Sequence, residues 1–318
     1  MEISFAPMEG VTGYIFRRIH QEFFPGADFY RAPFLAPDST GRFKAGSLRD
    51  VLPENNRDIK LLPQILANNP AAFLAVADEL AAMGYDSVDL NAGCPSGTVA
   101  AKHKGSGMLA DPVTLDTFLD TVFSQCRLKV SVKTRLGINS ADEFPAILDI
   151  YRKYPLAQLT VHARTKSGLY TSAVDFDAFA KAFEVFGEKC SYNGSIVSPE
   201  SFSSLVRRFP ALSSVTVGRG AVADPALIRV LKGGNASSSE ELREFHDRLV
   251  SETLRSGLPE VFTVGRMKEL WFYMIRKFPG SEKQRKAINK AKHLDEYSSA
   301  VRSLFSSGLF DSSACFPE

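Results

Sequence analysis

The chain has 318 residues, 44% hydrophobic and 23% charged, with 38 Lys and Arg against 36 Asp and Glu for a formal net charge of +2. That length and apolar fraction bury a large core with room for a small second domain, and they exclude wholesale disorder. Four cysteines (Cys94, Cys126, Cys190 and Cys315) share no CxxC spacing and no His partner at metal-ligand distance, which argues against a zinc site or a disulfide framework.

Taken in order, eight short apolar runs alternate with longer helical patterns. The runs are 2–6, 28–34, 60–66, 87–91, 129–134, 158–163, 190–193 and 214–218, and residues 70–83, 112–125 and 198–208 carry apolar side chains at helical spacing. Such alternation implies parallel strands joined by crossover helices, and eight units in about 235 residues predict a (β/α)8 TIM barrel. A doubly wound open sheet is the competitor, but no GxGxxG turn follows the first run. After Gly233-Gly234 a small polar stretch, 235–239, reads as a linker. Helical sequence follows to about Phe310, so we expect an α/β catalytic domain over 1–235 and a small all-α domain over 236–318.

Within that second domain, apolar residues at 264, 267, 271, 274, 275 and 278 form one stripe, which makes Trp271 a core residue. Arg266, Lys268, Arg276 and Lys277 alternate with the stripe and are expected mostly to face outward. Residues 266–292 hold nine Lys or Arg and two acidic residues, so a tail of +7 sits on a body of −5. That asymmetry is the footprint of a polyanion partner. The opening Met1-Glu2-Ile3 has no basic segment before an apolar one, and no apolar run approaches membrane-spanning length. We therefore expect a cytoplasmic protein with no membrane partner, no metal and no obligate protein partner.

In a barrel the active site gathers where the strands end. Those positions are Pro7-Met8-Glu9-Gly10, Gln64, Asn91 with Cys94, Lys133 with Arg135, His162 with Arg164, Asn193-Gly194-Ser195 and Gly218-Arg219-Gly220. Polar, charged or glycine residues occur at nearly all of them, as a ligand site requires. The two glycine turns follow the seventh and eighth runs, where barrels hold phosphate with backbone N–H groups. Residues 87–96 run from an apolar strand into a polar turn carrying one Asn and one Cys, a rigidly supported place for a reactive group. A thiol there is read either as catalytic or as a small buried hydrophobe.

The blocks Ala6-Pro7-Met8-Glu9-Gly10-Val11, Asn91-Ala92-Gly93-Cys94-Pro95-Ser96, Val132-Lys133-Thr134-Arg135-Leu136-Gly137, Val161-His162-Ala163-Arg164-Thr165, Asn193-Gly194 and Gly218-Arg219-Gly220-Ala221 resemble, in order, those of the tRNA-dihydrouridine synthase family. Residues 264–277 resemble its small helical domain, and the Met-Glu-Gly-Val opening is most similar to the bacterial C-type branch. The resemblance implies an FMN enzyme that uses NADPH to reduce the C5–C6 bond of a D-loop uridine in tRNA, with position 16 favoured by the C-type likeness. It implies that Pro7, Met8 and Glu9 line the flavin, that Gln64 and Lys133 meet its ring, and that His162, Asn193, Gly194, Ser195, Gly218 and Arg219 hold ring or phosphate. Cys94 would be the general acid. Asn91 and Arg135 would face the uracil, while Arg164, Lys102, Lys268 and Arg276 would contact the tRNA.

Elementary chemistry agrees with those roles. Hydride arriving at C6 of uracil builds negative charge at C5, so a proton must come from a group still protonated near neutrality, and an ordinary thiol with a pKa of about 8.5 is one. Lys133 would stabilise the negative charge of a reduced flavin. The chain departs from the family in several places, among them Ser195, which stands where many members carry Asp, and Arg31-Ala32-Pro33, where relatives commonly have a Thr-Glu pair. Two other readings share part of the pattern. An FMN-dependent barrel reductase of a free pyrimidine or other small conjugated substrate has no use for the basic tail, and a non-enzymatic RNA-binding protein has no use for the strand-end ring.

Overall fold

A computed structural model describes residues 1–38, 42 and 45–317. One sheet contains nine parallel strands: β1 (Glu2–Phe5), β2 (Phe29–Arg31), β3 (Leu61–Leu62), β4 (Gln64–Ile65), β5 (Ser87–Ala92), β6 (Lys129–Arg135), β7 (Leu159–His162), β8 (Cys190–Asn193) and β9 (Ser214–Val217). Their order is β3-β2-β1-β9-β8-β7-β6-β5-β4. The two end strands, β3 and β4, are a single stretch of chain broken at Pro63, whose missing N–H interrupts the ladder. Leu35 bridges Ile65, and Asp89 N donates to the Pro63 carbonyl. The sheet therefore closes on itself, and its eight barrel strands are the eight expected runs.

The intervening helices start where the sequence supplies caps. The side chain of Asn69 accepts from Ala72 N at the head of Pro70–Ala82, and that of Asp111 accepts from Val113 N and Thr114 N at the head of Pro112–Gln125. Both place proline in the first turn, where its missing N–H is not needed. The helix expected at 198–208 begins one residue later, at Pro199, because Ser198 stays outside it with its hydroxyl accepting from Ser201 N.

Strand alternation sorts the barrel wall into two faces. On β5, β7 and β9 the apolar Val88, Leu90, Leu159, Val161, Val215 and Val217 are buried, and the intervening Asp89, Asn91, Thr160, His162, Ser214 and Thr216 are buried polar residues. The polar set meets inside the barrel. Arg31 on β2 donates from Nη1 to Ser4 Oγ (2.7 Å) and Thr216 Oγ1 (2.8 Å), and from Nη2 to Gln158 Oε1 (2.6 Å) and Thr160 Oγ1 (2.8 Å). Strands β2 and β7 are not neighbours in the sheet, so these bonds cross its interior. Barrel interiors are usually packed with Val, Ile and Leu. Here the guanidinium, 1% exposed, is surrounded by oxygens, as a buried charge requires.

By contacts the chain divides into two compact units, the first comprising Met1–Pro7, Phe29–Gly194 and Phe209–Thr216, the second Met8–Asp28, Ser195–Arg208 and Val217–Glu318. In the second unit, helix Ser239–Arg255 starts where the polar linker ends, capped by the Ser238 hydroxyl accepting from Glu241 N. Its Phe245 ring is ringed by Phe16, Phe23 and Phe24 at centroid distances of 5.9, 6.0 and 5.1 Å. The expected stripe is buried on helix Glu260–Met274 and the turn beyond it, and Trp271 Nε1 donates to Tyr297 Oη at 2.7 Å, which makes it core. Lys277 corrects the outward expectation. It is 1% exposed, and its ammonium lies 2.8 Å from Asp224 Oδ2 while donating to the Ser312 and Ala314 carbonyls. The α-helix ends at Met274 and Ile275–Lys277 continues as a tighter 3-10 turn, which carries residue 277 round to the inside. Among the described residues no helix is long and apolar enough to cross a membrane.

Candidate active site

In the first unit, β5 delivers the central turn. Asn91 Oδ1 accepts from the backbone N–H groups of Gly93 (3.1 Å) and Cys94 (2.9 Å), a side-chain-closed turn that fixes where the half-buried thiol emerges. The Cys94 carbonyl receives both the N–H (3.1 Å) and the hydroxyl (2.8 Å) of Ser106. A Cβ on Gly105 would lie 2.9 Å from the Cys94 Cβ, and one on Gly107 would lie 2.4 Å from the Ala100 carbonyl oxygen. The glycines after Cys94 thus allow the following segment to pack directly against the turn. The same segment is tied elsewhere as well, because the Lys102 carbonyl accepts from Asn68 Nδ2 (2.8 Å) and Lys104 Nζ donates to the Pro37 carbonyl (3.0 Å). The Lys102 side chain itself is exposed.

Lys133 lies opposite Asn91 in the β5–β6 register. The residue is half-buried in the barrel wall. Burial pushes its ammonium down to about 7, the charges of Arg135 and Arg31 push the same way, and negative charge on Asp89 or Cys94 opposes them. Two consequences follow from the sign. The penalty of charging Lys133 in the fold is fully present below about pH 7 and is relieved as pH rises toward the ordinary lysine value. Near pH 7 about half of Lys133 is neutral and nucleophilic, so cyanate should carbamylate it faster than the exposed lysines, and a bound anion should suppress that reaction. Peptide mapping of a time course checks this, and labelling no faster than at Lys286 or Lys290 would contradict it.

Arg135 is buried beside the turn. Its Nε donates to the Gly93 carbonyl (2.9 Å), its Nη1 to the carbonyls of Thr165 (2.8 Å) and Leu169 (2.7 Å), and the Tyr170 ring covers it at 5.1 Å. It therefore ties the Cys94 turn to the loop after β7. Arg164 Nε donates to the Ser172 carbonyl at 2.6 Å, its Nη1 lies 3.4 Å from His162 Nε2, and His162 packs 5.7 Å from Tyr170. Gln64 is wholly buried, joining Asp89 to Asn91. At the end of β8, Asn193 Nδ2 donates to the Thr216 carbonyl (2.7 Å), and Gly194, at φ +148°, has Val174 Cγ1 and Tyr192 Oη within 3.0 and 3.1 Å of where a Cβ would stand. Pro7 is half-buried at the end of this unit's first segment.

The second unit holds the other sequence candidates. Met8 N donates to Thr12 Oγ1 (2.8 Å), and the exposed Glu9 borders a cavity of about 670 Å³ with Lys268, Glu269, Phe272 and Tyr273. Ser195 adopts φ +41°, and Arg219 opens a short helix with its guanidinium 5.4 Å from the Phe316 ring. Lys268 donates to the Ala291 carbonyl, and Arg276 is half-buried with its guanidinium 5.8 Å from that same Phe316 ring.

The structure thus brings Gln64, Asn91, Cys94, Lys133, Arg135, His162 and Arg164 together around the ends of β4 to β7. Three neighbours escaped sequence reasoning: Tyr170, and the interior pair Arg31 and Asp89. An acid between Val88 and Leu90 was the available signal for the pair, since a lone charge in an apolar strand implies a buried partner. Nothing in the local pattern marks Tyr170.

Comparison with known proteins follows the same line. Residues 4–306 match the family model described as dihydrouridine synthase (Dus). The tRNA-dihydrouridine synthase B of Pseudomonas aeruginosa is 24% identical over 309 residues, covering 94% of this chain and 91% of that protein. A probable tRNA-dihydrouridine synthase 2 of Bacillus subtilis is 26% identical over 312 residues (92% and 90%), and the tRNA-dihydrouridine(16) synthase of Aquipseudomonas alcaligenes is 26% identical over 306 residues (88% and 92%). Among solved structures morphinone reductase superposes with a TM-score of 0.53 at 11% identity, covering 75% of this chain and 87% of that one, a likeness of fold alone. A family match from the first strand to the last long helix, on a parallel barrel whose fifth strand ends in a held cysteine, leaves one assignment: the chain belongs to the dihydrouridine synthase (Dus) family.

Proposed function

We propose that the chain is a tRNA-dihydrouridine synthase that reduces the C5–C6 bond of a tRNA uridine, with FMN as resident cofactor and NADPH as reductant. The observation that carries this reading is the half-buried Cys94, held by the Asn91 turn with Lys133 opposite in register. The first unit suits a flavin: Lys133 is a half-buried amine whose charge a neighbouring anion would restore, and Gly194, at φ +148°, leaves the turn after β8 free of a side chain. When bound, FMN supplies the hydride for uracil C6. The chain's own residues do the rest. Lys133 would carry the positive charge that balances the cofactor, Cys94 Sγ–H would give its proton to C5, and Asn91 and Arg135 would keep that thiol and its flanking loop in place; a bound NADPH would supply the two electrons that the reduction uses. Gln64 and His162 would border the flavin ring. Met8, Glu9, Ser195, Gly218 and Arg219 belong to the second unit, and their assignment to the cofactor rests on resemblance.

The tRNA reading draws on the helical segment, 236–318. A cavity of about 260 Å³ there is lined by Phe272, Arg276, Arg285, Lys286 and Asn289, and Phe272 is 60% exposed. An exposed ring beside cations is suited to a base and its phosphate. A relative named for position 16 supports reduction at that position, whereas other relatives are named tRNA-dihydrouridine synthase B. The deciding experiment is incubation with NADPH and unmodified tRNA, followed by mapping of dihydrouridine. Product on tRNA but not on free uridine supports the reading. Protein that neither retains nor takes up FMN would sink it, and equal turnover of free uridine would favour the small-substrate reductase.

The basic tail makes a separate prediction. Lys277 is committed inward, so the useful cations are the exposed Arg285, Lys286, Lys290 and Lys292. Changing these four to Gln should weaken tRNA binding and flatten its log–log salt slope by about 0.7–0.9 per lost phosphate contact. FMN content and NADPH oxidation should stay as they were. Unchanged affinity at two salt concentrations would make the tail a solvated face.

A further inference from the structure

We propose that Asp89 is a positioning residue: its carboxylate sets the direction of a buried amide chain, Asp89 to Gln64 to Asn91, that holds the Cys94 turn in its working geometry, with Arg31 anchoring the far end. The proposal rests on Cys94 being the proton donor.

Every link is a short buried contact. Asp89 Oδ2 accepts from Gln64 Nε2 at 2.7 Å, Gln64 Oε1 accepts from Asn91 Nδ2 at 2.7 Å, and Asn91 Oδ1 accepts from the N–H groups of Gly93 and Cys94. The other oxygen, Asp89 Oδ1, accepts from the Ser131 hydroxyl at 2.8 Å, and Arg31 Nε lies 3.7 Å from Oδ2. Gln64 and Asp89 are 0% exposed and Asn91 is 7% exposed.

Direction is what the chain transmits. A side-chain amide has a donor end and an acceptor end, whereas a carboxylate only accepts. Asp89 therefore forces the NH2 of Gln64 toward itself, which leaves the Gln64 oxygen toward Asn91. Asn91 must then give its NH2 to Gln64, and its oxygen is left for the two backbone N–H groups of the turn. Reversing the first link reverses the last. An Asn91 that presented NH2 to Gly93 N and Cys94 N would face donor with donor, and both hydrogen bonds that close the turn from within would be lost.

Arg31 explains why an acid can stand there. Burial lowers the proton affinity of its guanidinium and Asp89 is the largest opposing influence. Among the described residues its Nε has no hydrogen-bond partner, so its nearness to Asp89 is an ion-pair contact, and the acceptors of Asp89 stay available to Gln64 and Ser131.

The test is an isosteric swap. Asp89→Asn keeps shape but can give NH2 to Gln64, turning the chain round. Adding Gln64→Glu to Asp89→Asn puts the acceptor-only group at position 64, so Asn91 must again donate to it and keep its oxygen on the turn. Backbone amide exchange at Gly93 and Cys94, and the alkylation rate of Cys94 relative to Cys126, are read on the purified protein alongside dihydrouridine formation. Expected are amide exchange at least about tenfold faster in Asp89→Asn, an altered Cys94 alkylation rate, a drop in kcat on tRNA of about tenfold or more without a matching rise in KM, and restored exchange protection in the double variant. Unchanged exchange in Asp89→Asn, or equal damage in both variants, would overturn the proposal, and so would failure of both to fold, which would assign the pair to stability alone. Exchange and alkylation report the turn whether or not the thiol donates the proton, so a failed relay is distinguishable from a failed assignment of Cys94.

Discussion

Cys94→Ala should retain FMN binding and NADPH oxidation while dihydrouridine formation on tRNA falls by roughly 10²–10⁴-fold, the usual loss for removal of a general acid. The thiol is half-buried, and the backbone of its turn is closed by Asn91 and Ser106 through main-chain atoms that alanine keeps. Loss of the Sγ–H therefore removes the proton donor without opening the turn. Single-turnover reduction of tRNA by the NADPH-reduced enzyme isolates the step. Full activity would mean that another group delivers the proton, and loss of flavin would mean that the cysteine is structural.

Arg31→Met should cost about 3–5 kcal/mol of stability, because it removes one partner of a buried charge pair and leaves the Asp89 carboxylate in the barrel interior with Ser131, Gln64 and a Lys133 whose own charge burial disfavours. Ser4, Thr216, Gln158 and Thr160 also lose the donor that joins them. At about 2–4 °C per kcal/mol for a protein of this size class, the melting temperature should fall by roughly 10 °C. Arg31→Met combined with Asp89→Asn removes both charges and should recover part of the loss, since the largest penalty is the unpaired charge and not the missing pair. A melting temperature unchanged in the single variant would show that the pair contributes no stability.

Much of this protein was legible because its signals are local. Alternating burial writes itself into a strand every second residue, so Val88, Asp89, Leu90 and Asn91 announce a strand with two unlike faces before any partner is known. Caps at Asn69 and Asp111 and the prolines after them mark helix starts within a residue or two. Chain order alone then places Gln64, Cys94, Lys133, His162 and Asn193 at successive strand ends.

Partnership was not legible, because it depends on which distant segments the closed sheet brings together. Nothing near Arg31 in sequence says that its guanidinium will span the barrel to Thr160, nor that Lys104 will spend its ammonium on the Pro37 carbonyl. Lys277 reads as one more outward cation until the 3-10 turn and the Asp224 carboxylate turn it inward. Lys133 is an ordinary lysine by sequence, and only enclosure beside Arg135 and Arg31 makes it an amine that titrates near neutrality. The sequence by itself determined the periodicities, and with them the barrel and the family motifs. The tertiary structure decided the hydrogen bonds and charge neighbours, because desolvation and Coulomb forces act over a few ångströms of space regardless of separation along the chain.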